Sequence, residues 1–183
     1  MSDEGDDMQL SKTIKAMLFG IALCVPVTGF AAVDMFLEIE GVRGESQDDK
    51  KKGAIDVLAW SWGASSNTTG RRTQCNIQDL SVTKWVDAAS PDLLMGQLDG
   101  RVYPSATLTV RKAGGVTRDA AIEYIVIEFF DVRVTSVSTG GSGGEDRLTE
   151  NTSFNFASAT YSYTPQNPDG SAGGVRQAHI AGC

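Results

Sequence analysis

From residue 33 onward the chain keeps changing side. In the stretch DMFLEIEG, Met35, Leu37 and Ile39 alternate with Phe36, Glu38 and Glu40. In SATLTVRK, Ala106, Leu108 and Val110 alternate with Thr107, Thr109 and Arg111. NIQDLSVTKWVD sets Leu80 and Val82 opposite Asp79, Ser81 and Thr83, and DVLAWSWG sets Leu58, Trp60 and Trp62 opposite Val57, Ala59 and Ser61. A period of two is the pattern of a strand with one face on a core. A chain built from such segments buries its strands against one another in a sandwich or a barrel.

Two longer segments narrow the choice. Between Ile122 and Val137 the first half is apolar on both faces, with Tyr124 and Val126 against Ile125 and Ile127. Phe130, Val132 and Val134 then alternate with Asp131, Arg133 and Thr135. A strand apolar on both sides is covered by something beyond its own core. Between Leu148 and Tyr163 the phase changes: Phe154 and Phe156 hold one parity, Ala159, Tyr161 and Tyr163 the other. A bulge or strong bend produces such a change, and long bent strands suit a closed barrel or a tightly rolled sandwich.

One short helix is expected in ASPDLLMGQLDG. Ser90 is the N-cap, Pro91 the first helical residue, Asp92 an acid at the positive end of the helix dipole, and Gly100 the stop. Leu94 and Leu98 are spaced to pack on the barrel. Segments 42–54 and 64–74 read as polar loops. Residues 167–183, rich in glycine and with no periodicity, read as a flexible Gly/Pro-rich tail or an arm that docks on a partner.

The first 32 residues form an extension of different character. Ala16–Val27 is a run of twelve apolar-type residues preceded by Lys12 and Lys15 and followed by TGFAA. That is short of the ~20 residues a membrane-crossing helix needs, so no stable membrane insertion is expected. A basic region, a short apolar run and small residues at Gly29 and Ala31 describe a secretory signal peptide. Met8 would give the more usual start, because the acids Asp3, Glu4, Asp6 and Asp7 precede it. A buried or frayed N-terminal helix is the other reading of this segment.

The formal net charge is −7. No basic face suggests a nucleic-acid partner. The runs Lys50–Lys52 and Arg71–Arg72 read as solvated loops. Signs of catalysis are sparse. The one histidine, His179, lies in the tail, which is a poor place for a nucleophile's base. Glu128, in an apolar stretch, reads as a strand-end salt bridge. Asp48–Asp49 and Glu145–Asp146 lack the spacing of a calcium loop, and no cysteine cluster suggests zinc. No cofactor, no metal and no enzymatic activity is expected. With the leader removed, two cysteines remain, Cys75 and Cys183. In an oxidising compartment such a pair is expected to oxidise, within or between chains.

The stretch STGGSGGEDRLTEN, from Ser138 to Asn151, invites a phosphate-loop reading and fails it. Gly144 is followed by two acids where a phosphate loop needs lysine and a hydroxyl residue. The segment also joins two strands, whereas a phosphate loop leads from a strand into a helix. It reads as a shaped turn whose glycines take positive φ or lie close to a neighbour.

Five stretches together resemble one family. AVDMFLEIEGVRGES, GAIDVLAWSWG, NIQDLSVTKWVD, LTVRKAGG and VTSVSTGGSGGEDRLTENTSFNF are similar to the hemolysin-coregulated protein (Hcp) family, the tube subunits of type VI secretion. The resemblance runs collinearly from Ala32 to about Gln166. It implies a mainly β fold, a compact barrel over residues 33–166 with one flanking short α-helix, assembling into hexameric rings. The rings stack into a hollow tube that can carry effectors. The partners implied are further copies of the chain and the type VI sheath, spike and effector proteins. The protein would be secreted, with a cytoplasmic pool before firing if the leader is not a working signal. The resemblance makes Ser138, Gly140, Gly141, Gly143, Gly144, Glu145, Asp146, Arg147, Glu150 and Asn151 candidates for subunit contacts. The polar loop at Glu45, Ser46, Asp48, Asp49, Lys50 and Lys51 becomes a candidate contact to the next ring. The leader, the segment SSNTTGRRTQC and the two cysteines depart from the family pattern. They leave open a Sec-exported filament subunit or a free effector-carrier ring.

Overall fold

The computed structural model describes residues 33–69, 72–112, 121–144 and 146–181. Ala31–Cys183 forms a unit of its own, and the expected signal peptide lies outside the described residues. The alternating segments become strands β1 (Val33–Ile39), β2 (Ile55–Ser61), β5 (Leu80–Trp85) and β6 (Val102–Lys112). The longer segments become β7 (Ile122–Thr139), β8 (Thr149–Asn155) and β9 (Ser158–Tyr163). Neighbouring strands run β7-β6-β1-β2-β5-β8, and β8 pairs back onto β7, so the sheet closes into a barrel. Closure leaves these strands no bare edge. Leu37, Ile55, Leu80, Val82, Leu108, Ile127, Phe129 and Phe154 fill the interior.

Three local irregularities set the faces. In β2 the pairing with β5 shifts between Val57 and Ala59. Ile55 and Val57 are buried and Leu58, the bulged residue, is exposed, which corrects its expected place beside Trp60. In β7, Asp131 has φ +52°. The register places it opposite Pro104, which has no N–H to give the ladder. The strand rotates there. Ile127 and Phe129 are buried before the turn, Val132 and Val134 after it, and Phe130 is exposed, contrary to the simple alternation. The third irregularity is the phase change expected between Leu148 and Tyr163, which is a corner. β8 ends at Asn155 and β9 begins at Ser158. Both pair with β7, β8 along Arg133–Thr139 and β9 along Ile125–Phe130. Trp62, Phe129 and Phe156 form an aromatic cluster, their centroids 4.7–5.5 Å apart.

Two segments read as irregular carry strands. The 64–74 loop is a hairpin, β3 (Ala64–Thr69) and β4 (Arg72–Ile77), a separate two-stranded sheet. The tail carries β10 (Arg176–Ala181), paired antiparallel with β9. Neither has an apolar face, so neither left a period-two trace in the sequence.

The helix, α1 (Ser90–Asp99), forms where expected and ends on Gly100 at φ +65°. Its packing face differs from the expectation. Leu93 and Gly96 are buried, while Leu94 and Leu98 face outward. Gly96 lies so close to Tyr103 that a β-carbon there would collide with the hydroxyl. The cap differs too. Asp87 accepts the Ala89 N–H on its carboxylate and the Ser90 N–H on its carbonyl, both at 3.0 Å. Ser90 itself opens the helix, and its hydroxyl is used elsewhere.

Candidate functional site

The glycine segment leaves the barrel between β7 and β8, whose ladder runs out to Ser138 opposite Asn151 and Thr139 opposite Glu150. Beyond that pair the turn is shaped as expected. Gly144 has φ +100°. A β-carbon on Gly141 would lie 2.5 Å from Leu148 Cδ2. Gly140 and Gly143 are different, since a β-carbon on either would meet nothing within 4 Å. Within its own chain the backbone at these two positions is uncovered.

Two hollows flank the turn. One, of about 380 Å³, is lined by Ser138, Gly140, Gly141, Ser142, Thr149 and Asn151. The other, of about 440 Å³, is lined by Trp85, Asp146, Arg147 and Thr149. The Arg147 guanidinium carbon lies over the Trp85 ring, 4.8 Å from its centroid, a cation–π contact between two residues that line the hollow. The Val86 N–H donates to Leu148 O at 2.9 Å. The turn is thereby sewn to β5 as well as to β7. Glu145 lies outside the described residues.

Glu150 does not join this surface. It is buried, and its carboxylate accepts from Lys84 Nζ at 2.7 Å and from Ser90 Oγ at 2.8 Å. Lys84 is fully buried and also donates to Asp87 Oδ1 and to Trp85 O, each at 2.7 Å. One ammonium thus joins the exit of the glycine segment to the entry of α1. The sequence reading missed Lys84, although the signal was present. Leu80, Val82 and Lys84 share one parity, and all three face inward. A charged residue on the apolar parity of a strand is a lysine with buried partners. Asn151 stays at the surface, its side-chain oxygen accepting from Thr83 Oγ1 at 2.6 Å.

The polar segment 42–54 folds back on itself. The Gly44 N–H donates to Gly53 O, the Gly53 N–H to Ser46 O, and the Ser46 N–H to Ala54 O. Ser46 is buried, so it shapes the loop from within. The Asp48 carboxylate receives both ends of the Arg111 guanidinium, at 3.0 and 2.6 Å, and the backbone N–H groups of Lys50 and Lys51. The charge-assisted bonds from Arg111 and the backbone donors hold the Asp48 carboxyl down at about 2, against the partial burial that opposes them. Arg111 also reaches Asp34 at 3.2 Å and lies over Phe36 at 4.8 Å. Lys51 pairs with Glu38 at 2.7 Å. Glu45, Asp49 and Lys50 are exposed on the rim.

The two segments are tied to opposite ends of one strand. Lys51 reaches Glu123 at the start of β7, at 3.6 Å, and Thr139 at the end of β7 leads into the glycine turn.

Among the described residues, no group of three or more histidine, cysteine, aspartate and glutamate side chains could hold a metal ion. None of the helices there is long and apolar enough to cross a membrane. His179 stands on β10, its Nδ1 3.1 Å from Thr160 Oγ1.

Residues 36–163 match the family model described as the type VI secretion system effector Hcp. Over 149 residues the chain is 50% identical to protein hcp1 of Pseudomonas aeruginosa, covering 78% of this chain and 90% of that protein. A type VI secretion system effector from Yersinia pestis superposes with a TM-score of 0.67 at 34% identity, over 81% of this chain and 99% of the other. Hcp1 from Salmonella typhimurium gives 0.66 at 33% identity, over 83% and 95%.

Proposed function

This chain belongs to the Hcp family of type VI secretion proteins, and we propose that it is a tube subunit whose two contact loops bind copy to copy, head to tail. One observation carries the proposal: the glycine turn and the 42–54 loop stand at opposite ends of β7. Surfaces at opposite ends of a subunit make heterologous contacts, which close into rings or continue as filaments according to the rotation between copies. Six-membered rings that stack into a hollow tube, holding small effector proteins in the lumen, are the assembly that fits. The sheath and spike of the same apparatus are its outer partners. The role is mechanical, and catalysis has no part in it.

The uncovered backbone at Gly140 and Gly143 is where a neighbour fits, with Ser138, Gly141, Gly144, Asp146, Arg147 and Asn151 around it. Glu45, Asp49 and Lys50 present the opposite surface, on a loop that Ser46, Asp48 and Lys51 hold in shape.

Gly143→Trp tests this, because a β-carbon at that position meets nothing within 4 Å in its own chain. The variant should keep the melting temperature of the parent and lose rings in negative-stain electron microscopy and in sedimentation. Rings that persist in Gly143→Trp and Gly140→Trp alike would remove the glycine turn from the contact.

A second reading, a subunit exported through its own leader to act outside the cell, is favoured by the state of Cys75, which is disulfide-bonded.

A further inference from the structure

Ser90 stands at the mouth of α1, where a serine hydroxyl usually receives an N–H of its own helix. Here the helix starts without that hydroxyl. The cap position is Ala89, which has no side chain to bond. Asp87 does the capping instead: its carboxylate accepts the Ala89 N–H and its carbonyl the Ser90 N–H, both at 3.0 Å. The ladder then continues with the Leu93 N–H on Ala89 O at 2.9 Å. The Ser90 hydroxyl is left over, and it is bonded outside its helix. It donates to Glu150 Oε1 at 2.8 Å, accepts the Asp87 N–H at 3.0 Å, and lies 3.2 Å from Lys84 Nζ.

Glu150 needs that donor. An ammonium has three protons, and those of Lys84 go to Trp85 O, Asp87 Oδ1 and Glu150 Oε1, each at 2.7 Å. Two acids therefore share one buried cation, and the hydroxyl supplies Glu150 with a second bond. A buried carboxylate that loses a donor cannot replace it with water. Glu150 is also the residue from which the glycine turn springs. It pairs with Thr139 of β7 in the last rung before the turn, and with Lys84 of β5 on its other flank. Whatever holds its side chain holds that rung.

We propose that Ser90 is a positioning residue of the glycine turn: its hydroxyl, free of helix duty, lets α1 fix where the turn stands from 60 residues away in sequence. The inference deepens the reading of the turn as a copy-to-copy contact, and it rests on that reading for the effect on assembly. The glycines shape the turn but carry no side chains to hold it. The holding is done from the helix.

Ser90→Ala removes the hydroxyl and leaves the backbone N–H and the Asp87 cap in place, while Ser90→Thr keeps the hydroxyl. Hydrogen exchange is measured on full-length Gly143→Trp with and without each substitution, so that ring burial does not mask the turn. Loss of one hydrogen bond to a charged group corresponds to about tenfold in a local opening equilibrium. Ser90→Ala should therefore speed exchange over Thr139–Gly144 about tenfold, with Leu93–Asp99 of α1 and with β6 unchanged, and Ser90→Thr should restore the turn. In the chain with Gly143 intact, sedimentation should show ring association weakened by a similar factor in Ser90→Ala and restored in Ser90→Thr. Unchanged exchange in the turn would overturn the proposal. Equal loss of protection in α1 and the turn would also overturn it, since the hydroxyl would then be an ordinary support of its helix. A faster turn with rings as tight as the parent's would uphold the positioning and remove the turn from the contact, a result that Gly143→Trp reports separately.

Discussion

Each of the two candidate contact loops has one buried or nearly buried cation at its base, and the two cations have different surroundings. Lys84 is sealed inside the barrel wall, with side-chain exposures of 0% for itself, 5% for Asp87 and 1% for Glu150. Arg111 sits at the rim, with its own side chain 7% exposed and those of Asp48 and Asp34 26% and 52% exposed. In the interior, water cannot replace a lost partner, so a removed cation leaves charged carboxylates stranded. At the rim, water and salt take up much of the loss. The glycine turn therefore hangs from an all-or-none anchor and the 42–54 loop from a gradable one.

The largest effect should come from Lys84→Met. It strands Glu150 and Asp87 without a cation and should lower stability by about 3–5 kcal/mol, read as a shift of the urea midpoint. Adding Glu150→Gln to it should recover part of the loss. A cost below about 1 kcal/mol would erase the distinction between the two anchors. Asp48→Asn should cost less, about 2 kcal/mol, and should speed hydrogen exchange across residues 42–54 while leaving the glycine turn protected.

Acid should act on the same carboxylate. Its folded value, about 2, lies below its ordinary 3.8. A depressed carboxyl contributes stability that is present above the unfolded value and lost as pH falls through the folded one. Between pH 4 and pH 2 the parent should therefore lose up to about 2 kcal/mol that Asp48→Asn never had. Urea titrations at stepped pH would make the two curves converge; parallel curves would refute the assignment. The smallest effect is that of salt. Raising ionic strength to ~1 M shortens the screening length to ~3 Å. The difference between parent and Asp48→Asn should shrink by a few tenths of a kcal/mol, while that between parent and Lys84→Met stays put.

The barrel was legible because alternation is a direct imprint of a buried face, as Leu80 and Val82 or Leu108 and Val110 demonstrate. Its irregularities were not. Leu58 leaves the core at a bulge and Phe130 at the left-handed Asp131, and single-residue backbone changes leave no mark on residue type. The helix was found by its punctuation, Pro91 and Gly100. Its buried face was misjudged, because Leu93, Leu94 and Leu98 are equally apolar and only the position of Tyr103 selects among them. The hairpin β3–β4 and the strand β10 were invisible to periodicity because they bury nothing. Of the glycine segment, the turn was readable from the glycines, whereas the inward turn of Glu150 depends on Lys84, a residue 66 positions away.

Barrel closure has a consequence in time. β1 finds its long pairing only in β6, and Arg111 meets Asp34 across 77 residues of chain. β5 keeps a bare edge until β8 arrives. Pairings of such sequence separation pay their loop-closure entropy before they gain any contact, so they form slowly. A ribosome that has delivered the first two-thirds of this chain has produced strands that cannot yet close. During that interval a second nascent copy can pair with the wrong edge.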